Sequence, residues 1–215
     1  MLGFDISERT VLRWMRKAPR SPDTAQRWAT FLSNHREAIA AMDFFTVPTL
    51  TCSMIYCLFV ISHDRRRISH CNVTRHPTSS WVIQQLRGAF PYDAVPKYLI
   101  FDNGSNFNSD VLESIKDFDI QPKRTSFRSP WQNGVAERFI GSCRRDLLDH
   151  VIVINERHLK RLMAEYVRYY HEDRTHLALS KGTPAGRAVA NRAGQGQVIS
   201  TPRLGGLHHR YNLAA

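Results

Sequence analysis

Apolar and polar positions alternate along this chain with two periods, one helical and one of strands. Residues 7–17 predict a short helix, with Ser7 as its cap and Val11, Leu12 and Met15 as an apolar stripe. Arg9, Thr10, Arg13, Arg16 and Lys17 fall outside that stripe, a pattern that fits either the second helix of a helix-turn-helix or a solvated basic helix. Pro19, Ser21 and Pro22 form a linker, and a second helix is expected over about 24–39, with Trp28, Phe31, Leu32, His35 and Ile39 on one face. From residue 40 the runs shorten. Residues 41–46, 54–62 and 67–73 are β-prone and are separated by turn-rich stretches at 48–51 and 63–66. Pro77 opens a helix to about Phe90, 98–101 is a fourth strand, 109–118 a helix and 119–122 a fifth strand. A helix over 131–150 carries Ala136, Ile140, Cys143 and Leu147 as its apolar stripe. The strongest helical pattern is 157–171, where Leu159, Leu162, Met163, Tyr166, Val167 and Tyr170 share a face.

Beyond Pro184 the chain holds five glycines, four arginines and no acid, and is expected to be loosely folded or extended. The domain reading is therefore a helical N-terminal segment over 1–39, a core over 40–188, and a basic, glycine-containing tail over 189–215. The core order β-β-β-α-β-α-β-α predicts an α/β domain, a five-stranded mixed sheet flanked by helices, which is the order of the ribonuclease-H-like fold. Order alone does not settle function.

Composition narrows the classes. With 42% hydrophobic and 23% charged residues, the 215-residue chain can bury a core. Its longest unbroken apolar run, 54–61, is far shorter than a membrane span, and no leader pattern opens the chain, so a cytoplasmic protein with no membrane partner is expected. Cysteines 52, 57, 71 and 143 form no CxxC pair and are expected to be reduced and mostly buried. The net charge is +11, and only six of the 30 basic residues are lysines. Arginine's planar fork matches phosphate oxygens, so this excess points to nucleic acid. The basic excess is three over residues 1–40, two over 41–150 and six over 151–215, which leaves the middle nearly neutral between basic flanks. His63, His70 and His76, with Cys71, lack a repeated zinc-ligand spacing and read as surface histidines, and the adjacent His208 and His209 carry no signal. Trp81, Tyr166 and Tyr170 read as core, and no glycine-rich phosphate loop is present.

Three acids carry the candidate chemistry. Asp43 lies inside an apolar strand, where an uncompensated charge is costly. Asp102 follows the strand 98–101 and opens Asp102-Asn103-Gly104, while Glu137 lies one turn into a helix after Pro130-Trp131-Gln132-Asn133-Gly134. Neighbouring first and fourth strands would set the two aspartates side by side, with Glu137 reaching in from a helix alongside. Clustered carboxylates select hard divalent cations, Mg²⁺ or Mn²⁺, and two such ions suit phosphoryl transfer.

These segments resemble the three boxes of the DDE transposase and retroviral-integrase catalytic core: Asp43-Phe44-Phe45-Thr46, then Asp102-Asn103-Gly104-Ser105-Asn106-Phe107, then the stretch from Ser129 to Arg138. The similarity is strongest to transposases of bacterial insertion sequences and covers about 40–188. Downstream, Tyr170, Arg174, His176, Leu179 and Thr183-Pro184 resemble the family's closing segment. Between Asp102 and Glu137 lie 34 residues, one fewer than the family's usual label. Relatives usually carry a complete N-terminal DNA-binding region, of which only the last helix is expected here.

The resemblance implies DNA cleavage and strand transfer by Asp43, Asp102 and Glu137, which would hold two Mg²⁺ or Mn²⁺ ions. It implies double-stranded DNA as partner, at least a homodimer during reaction, and phosphate contacts from Arg138, Arg144 and Arg145. Arg144 stands seven residues after Glu137, two helical turns on, so both face one side. Gln132 and Asn133 are expected to contact DNA from a mobile loop ending at Gly134. Two alternatives remain: a ribonuclease-H-like nuclease that cuts without joining, and a truncated transposase that only binds DNA.

Overall fold

Period-two burial organises the centre of the molecule. In a computed structural model, residues 9–10, 22–91, 95–126, 129–187 and 197–213 are described. The chain separates into two units, Met1–His35 and Arg36–Ala215. In the first, the helix expected over 7–17 lies outside the described residues except for Arg9 and Thr10. Helix α1 spans Pro22–Asn34, with Trp28 and Phe31 ring centroids 5.4 Å apart. It ends earlier than expected because Ile39 opens a strand instead of completing the helical face.

The larger unit carries strands β1 (Ile39–Pro48), β2 (Met54–Ser62), β3 (Ile68–Thr74), β4 (Tyr98–Phe101) and β5 (Gln121–Arg124) in one sheet of order β3-β2-β1-β4-β5. The first three form an antiparallel meander, while β4 runs parallel to β1 and β5 parallel to β4. Helices α2 (Ser79–Ala89) and α3 (Ser109–Asp117) cover one face, and α4 (Gly134–Asp146) and α5 (Glu156–Glu172) pack against the sheet through β1 and β3 respectively. This is the expected ribonuclease-H-like architecture, a five-stranded mixed sheet flanked by helices.

The alternation assigns each side chain its face. Ala40, Met42, Leu58, Val60, Leu99 and Phe101 join Val82, Leu86, Val111 and Ile115 in one continuous core. The strand residues between them face the other way, where Phe59 meets Phe139 of α4 at 4.5 Å and Phe139 meets Tyr170 of α5 at 5.2 Å. Asp43 shares the parity of Ala41 and Phe45, and so falls on the α4 side.

Local chemistry sets the element ends. Thr78 and Asn108 cap α2 and α3, each accepting a backbone N–H three residues on. Asp119 adopts a left-handed turn (φ 60), which delays β5 by two residues relative to the expected 119–122. The helix expected over 131–150 is a 3-10 turn at Pro130–Asn133, then α4, then a 3-10 turn at Leu148–His150. The closing segment holds α5 in place. Arg174 pairs with Asp146 of α4 at 2.7 Å, and Nε2 of His171 accepts the Ile68 N–H of β3 at 2.8 Å.

The tail departs from expectation. Residues 188–196 lie outside the described residues, but Val198–Arg203 (β6) and His208–Leu213 (β7) pair as an antiparallel hairpin. Its turn runs through Gly205 and Gly206 at positive φ (66 and 96), which glycine tolerates without strain. Asp173, at the end of α5, anchors it by accepting Arg203 Nε at 2.6 Å, with Arg210 at 3.5 Å and Arg187 at 3.6 Å. His208 stacks on Tyr169 at 4.8 Å, so it has a packing role that the sequence did not signal.

Candidate active site

Strand register brings the first two acids level. Ala41 opposes Ile100 in the parallel β1–β4 pair. Two residues further along each chain lie Asp43 and Asp102, on the same face because side chains alternate. They sit at the carboxyl end of β4, where open α/β sheets form clefts. A cleft of about 610 Å³ opens there, lined by Asp43, Asp102 and Glu137 together with Arg144, Asn133 and Tyr56.

The three carboxylates differ in environment. Asp43 is 7% exposed. Its Oδ1 accepts the Phe44 N–H at 2.8 Å and its Oδ2 accepts Nδ2 of Asn133 at 3.3 Å. Burial, opposed by the Phe44 hydrogen bond and reinforced by the like charges of Asp102 and Glu137, pushes its pKa from 3.8 up to about 7. Asp102 is exposed, and its Oδ1 accepts the Gly104 N–H at 3.0 Å, so Asp102-Asn103-Gly104 forms the tight local turn its composition suggests. Glu137 is exposed in the first turn of α4.

Among the described residues, no three His, Cys, Asp or Glu side chains are gathered closely enough to hold a metal ion. The donor chemistry nevertheless fits a hard divalent cation. The three carboxylates share one cleft, and Asp43, whose anion is penalised first by burial and then by the like charges of Asp102 and Glu137, would be relieved of that cost by a bound cation.

The remaining predicted residues divide by position. Arg144 lines the cleft and donates to the Thr46 carbonyl at 3.3 Å. Arg138 and Arg145 are exposed on α4 but are not among the cleft-lining residues. Gln132 and Asn133 are buried, at 5% and 2% exposure, in a 3-10 turn where a mobile loop was expected. Gln132 Oε1 accepts the Ser126 N–H, and Asn133 Nδ2 also reaches the Met42 carbonyl at 3.4 Å. Asn133 thus reaches Asp43 across 90 positions, a contact that no spacing rule announces. Its Oδ1 is buried without a hydrogen-bond partner. His63, expected at the surface, is buried at 5% exposure. Tyr166 and Tyr170 are core, as expected. Cys57 and Cys143 are buried free thiols, while Cys52 is exposed.

Residues 118–184 match the family model described as integrase core domain. The chain is 29% identical over 90 residues to InsD, the transposase named for insertion element IS2E of Escherichia coli (strain K12), and the match spans 41% of each protein. Among solved structures, a chain of the simian T-cell lymphotropic virus intasome in complex with PP2A regulatory subunit B56 gamma aligns with a TM-score of 0.57 at 14% identity, covering 81% of this chain and 66% of that one. The HTLV-2 integrase catalytic core domain in complex with magnesium aligns in its trimeric form with a TM-score of 0.54 at 13% identity, covering 69% of this chain and 94% of that one. Its dimeric form aligns with the same TM-score at 15% identity. The likeness to DDE transposases and retroviral-integrase catalytic cores is therefore carried by sequence over 118–184 and by the fold of the core.

Proposed function

We propose that this chain is a metal-dependent DNA strand-transfer enzyme that cuts the ends of a mobile element and joins them to target DNA. The observation that carries the reading is the single cleft in which buried Asp43, level with Asp102, faces Glu137 from α4. Glu137 also lies within the segment that matches the integrase core domain.

Asp43, Asp102 and Glu137 would together hold two Mg²⁺ or Mn²⁺ ions. Bound there, the ions would supply activation of the attacking oxygen and stabilisation of the leaving oxygen. The magnesium complex of the HTLV-2 core supports that choice of metal. The protein's own groups do the positioning. Phe44 N–H and Asn133 Nδ2 fix the two oxygens of Asp43, and the Arg144 guanidinium, at the cleft wall, neutralises a DNA phosphate beside the carboxylates. Arg138 and Arg145 contact phosphates further along the duplex, adding affinity without reading sequence. Gln132 acts from within, by holding the Ser126 segment that borders the cleft.

Water would attack a phosphodiester at the element's end first, displacing a 3′-OH, and that hydroxyl would then attack a target phosphodiester in line, joining to its phosphorus and displacing the target strand's own 3′-OH. Joining two ends requires at least two copies, in keeping with the dimeric and trimeric forms of the HTLV-2 core. The site of action would be cytoplasmic, on chromosomal DNA. No described helix is long and apolar enough to cross a membrane.

Incubation with terminal-repeat oligonucleotides, target DNA and Mg²⁺ tests this reading. Joined products are expected. Cutting without joining would identify a nuclease instead, and retention on DNA without cutting would identify a binding protein.

A further inference from the structure

A second cluster of unpaired polar groups gathers where the β2–β3 turn meets the start of β1. The β2–β3 turn sits at the start of β1, where the His63 N–H donates to the Ile39 carbonyl at 2.9 Å. Arg66, at the tip of that turn, adopts a left-handed conformation (φ 59) and is half-buried, with its Nε lacking any hydrogen-bond partner. Nε2 of His63 and Nε2 of His176 are also buried without partners. His176 packs edge-on against Tyr170 at 4.7 Å.

Arg66 is the common neighbour of this group. It interacts electrostatically with Arg138 and Arg36, with Tyr170, and with both imidazoles. Arg36 is held at the turn by donating to the Asp64 carbonyl at 3.0 Å. Arg65 points elsewhere, to the Pro184 and Thr183 carbonyls. Acids near the cluster leave it uncompensated. Asp64 makes no ion pair among the described residues, and Asp146 is occupied by Arg174 at 2.7 Å and by the Tyr166 hydroxyl at 3.2 Å. Burial first, then the Arg66 and Arg36 charges, hold His63 at about 4. Burial, Arg174 and Arg66, opposed by Asp146, hold His176 at about 4. At neutral pH both rings are therefore uncharged, and each can donate from Nε2 in the tautomer that carries its hydrogen there.

Three guanidiniums without a carboxylate, beside two unpaired imidazoles, form an arrangement that an oxyanion would stabilise. Phosphate matches the guanidinium fork. Arg138 directly follows Glu137 on α4, about 100° around the helix, so the cluster adjoins the carboxylate cleft along that helix. We propose that Arg36, Arg66, Arg138, His63 and His176 form a second phosphate site that holds a backbone phosphate of bound DNA, an inference that rests on reading the chain as a DNA enzyme.

Two measurements on the full chain test this. Inorganic phosphate is titrated while the His63 and His176 imidazole resonances are followed by NMR. In parallel, the salt dependence of binding to a short DNA duplex is measured for wild type, Arg66→Gln and Arg138→Gln. Phosphate should shift both imidazoles in wild type and neither in Arg66→Gln, and each variant should lower the slope of log affinity against log salt by about one. Arg138 is exposed on a helix, so its variant stays folded whatever the fate of Arg66→Gln. Unmoved imidazoles overturn the site. A phosphate response with a wild-type slope in Arg138→Gln would mean free phosphate alone, and overturns the DNA assignment. Neither measurement needs cleavage. A chain that responds as expected yet fails to cut DNA would therefore refute the proposed function and leave this site standing.

Discussion

Asp43→Asn, studied without metal, should stabilise the protein at high pH and leave it unchanged at low pH. The Asp43 pKa rises from 3.8 in the unfolded chain to about 7 in the fold, because burial and the charges of Asp102 and Glu137 penalise its anion. Below 3.8 both states hold the proton and no penalty is felt. As pH rises, the unfolded state releases its proton first, so stability falls until pH passes about 7. At about 1.4 kcal/mol per pH unit, the full loss is on the order of 4 kcal/mol. Asparagine has nearly the same shape and carries no charge. Its Oδ1 can still accept the Phe44 N–H, and the Asn133 amide can turn its unpartnered Oδ1 toward the new Nδ2. The residual hydrogen-bonding cost is therefore below about 1 kcal/mol. Urea titrations with a chelator, from about pH 4 to about pH 8, measure the difference between the two proteins. The curves should meet at the acid end, with the variant about 4 kcal/mol more stable at the alkaline end. A constant offset across the range would refute the electrostatic reasoning, since other titrating groups cancel between the two proteins.

Arg144→Ala should weaken DNA binding and lower the salt slope by about one, and an unchanged slope would remove Arg144 from the interface. Asp173→Ala leaves Arg187, Arg203 and Arg210 without their shared acid. Because those arginines are partly hydrated, the loss should be about 2–3 kcal/mol, with the β6–β7 hairpin becoming open to protease. Hairpin cleavage at the wild-type rate would contradict that anchoring role. Phe139→Ala removes a ring packed on Phe59 and Tyr170 and should cost about 3–5 kcal/mol by denaturant titration, and a loss below 1 kcal/mol would show that the α4–sheet packing is misjudged.

The strands that read best from sequence were those whose patterns needed no partner. Residues 54–62 and 98–101 appear with the expected bounds because continuous apolar runs between turn residues leave little choice of conformation. Asp43 was conspicuous because an acid interrupts such a run, and strand parity carries it to the α4 face. The hairpin at 198–213 was not legible. Its strands expose much of their surface, and the acid that gathers its arginines, Asp173, lies in another element. Gln132 and Asn133 looked like polar loop residues, and their burial depends on Ser126 and Asp43, which only the folded sheet brings near. The burial of His63 is hidden from sequence for a similar reason. A histidine in a turn is usually solvated, but this one is enclosed where the turn folds over the start of β1.

The measurement closest to the central claim is Mn²⁺ binding, followed by electron paramagnetic resonance, to the wild-type chain and to Asp43→Asn, Asp102→Asn and Glu137→Gln. The account predicts that wild type binds two ions and that each variant, having lost one of the three carboxylates, binds them less well. Binding by all three variants at wild-type affinity, or no binding by wild type, would contradict it.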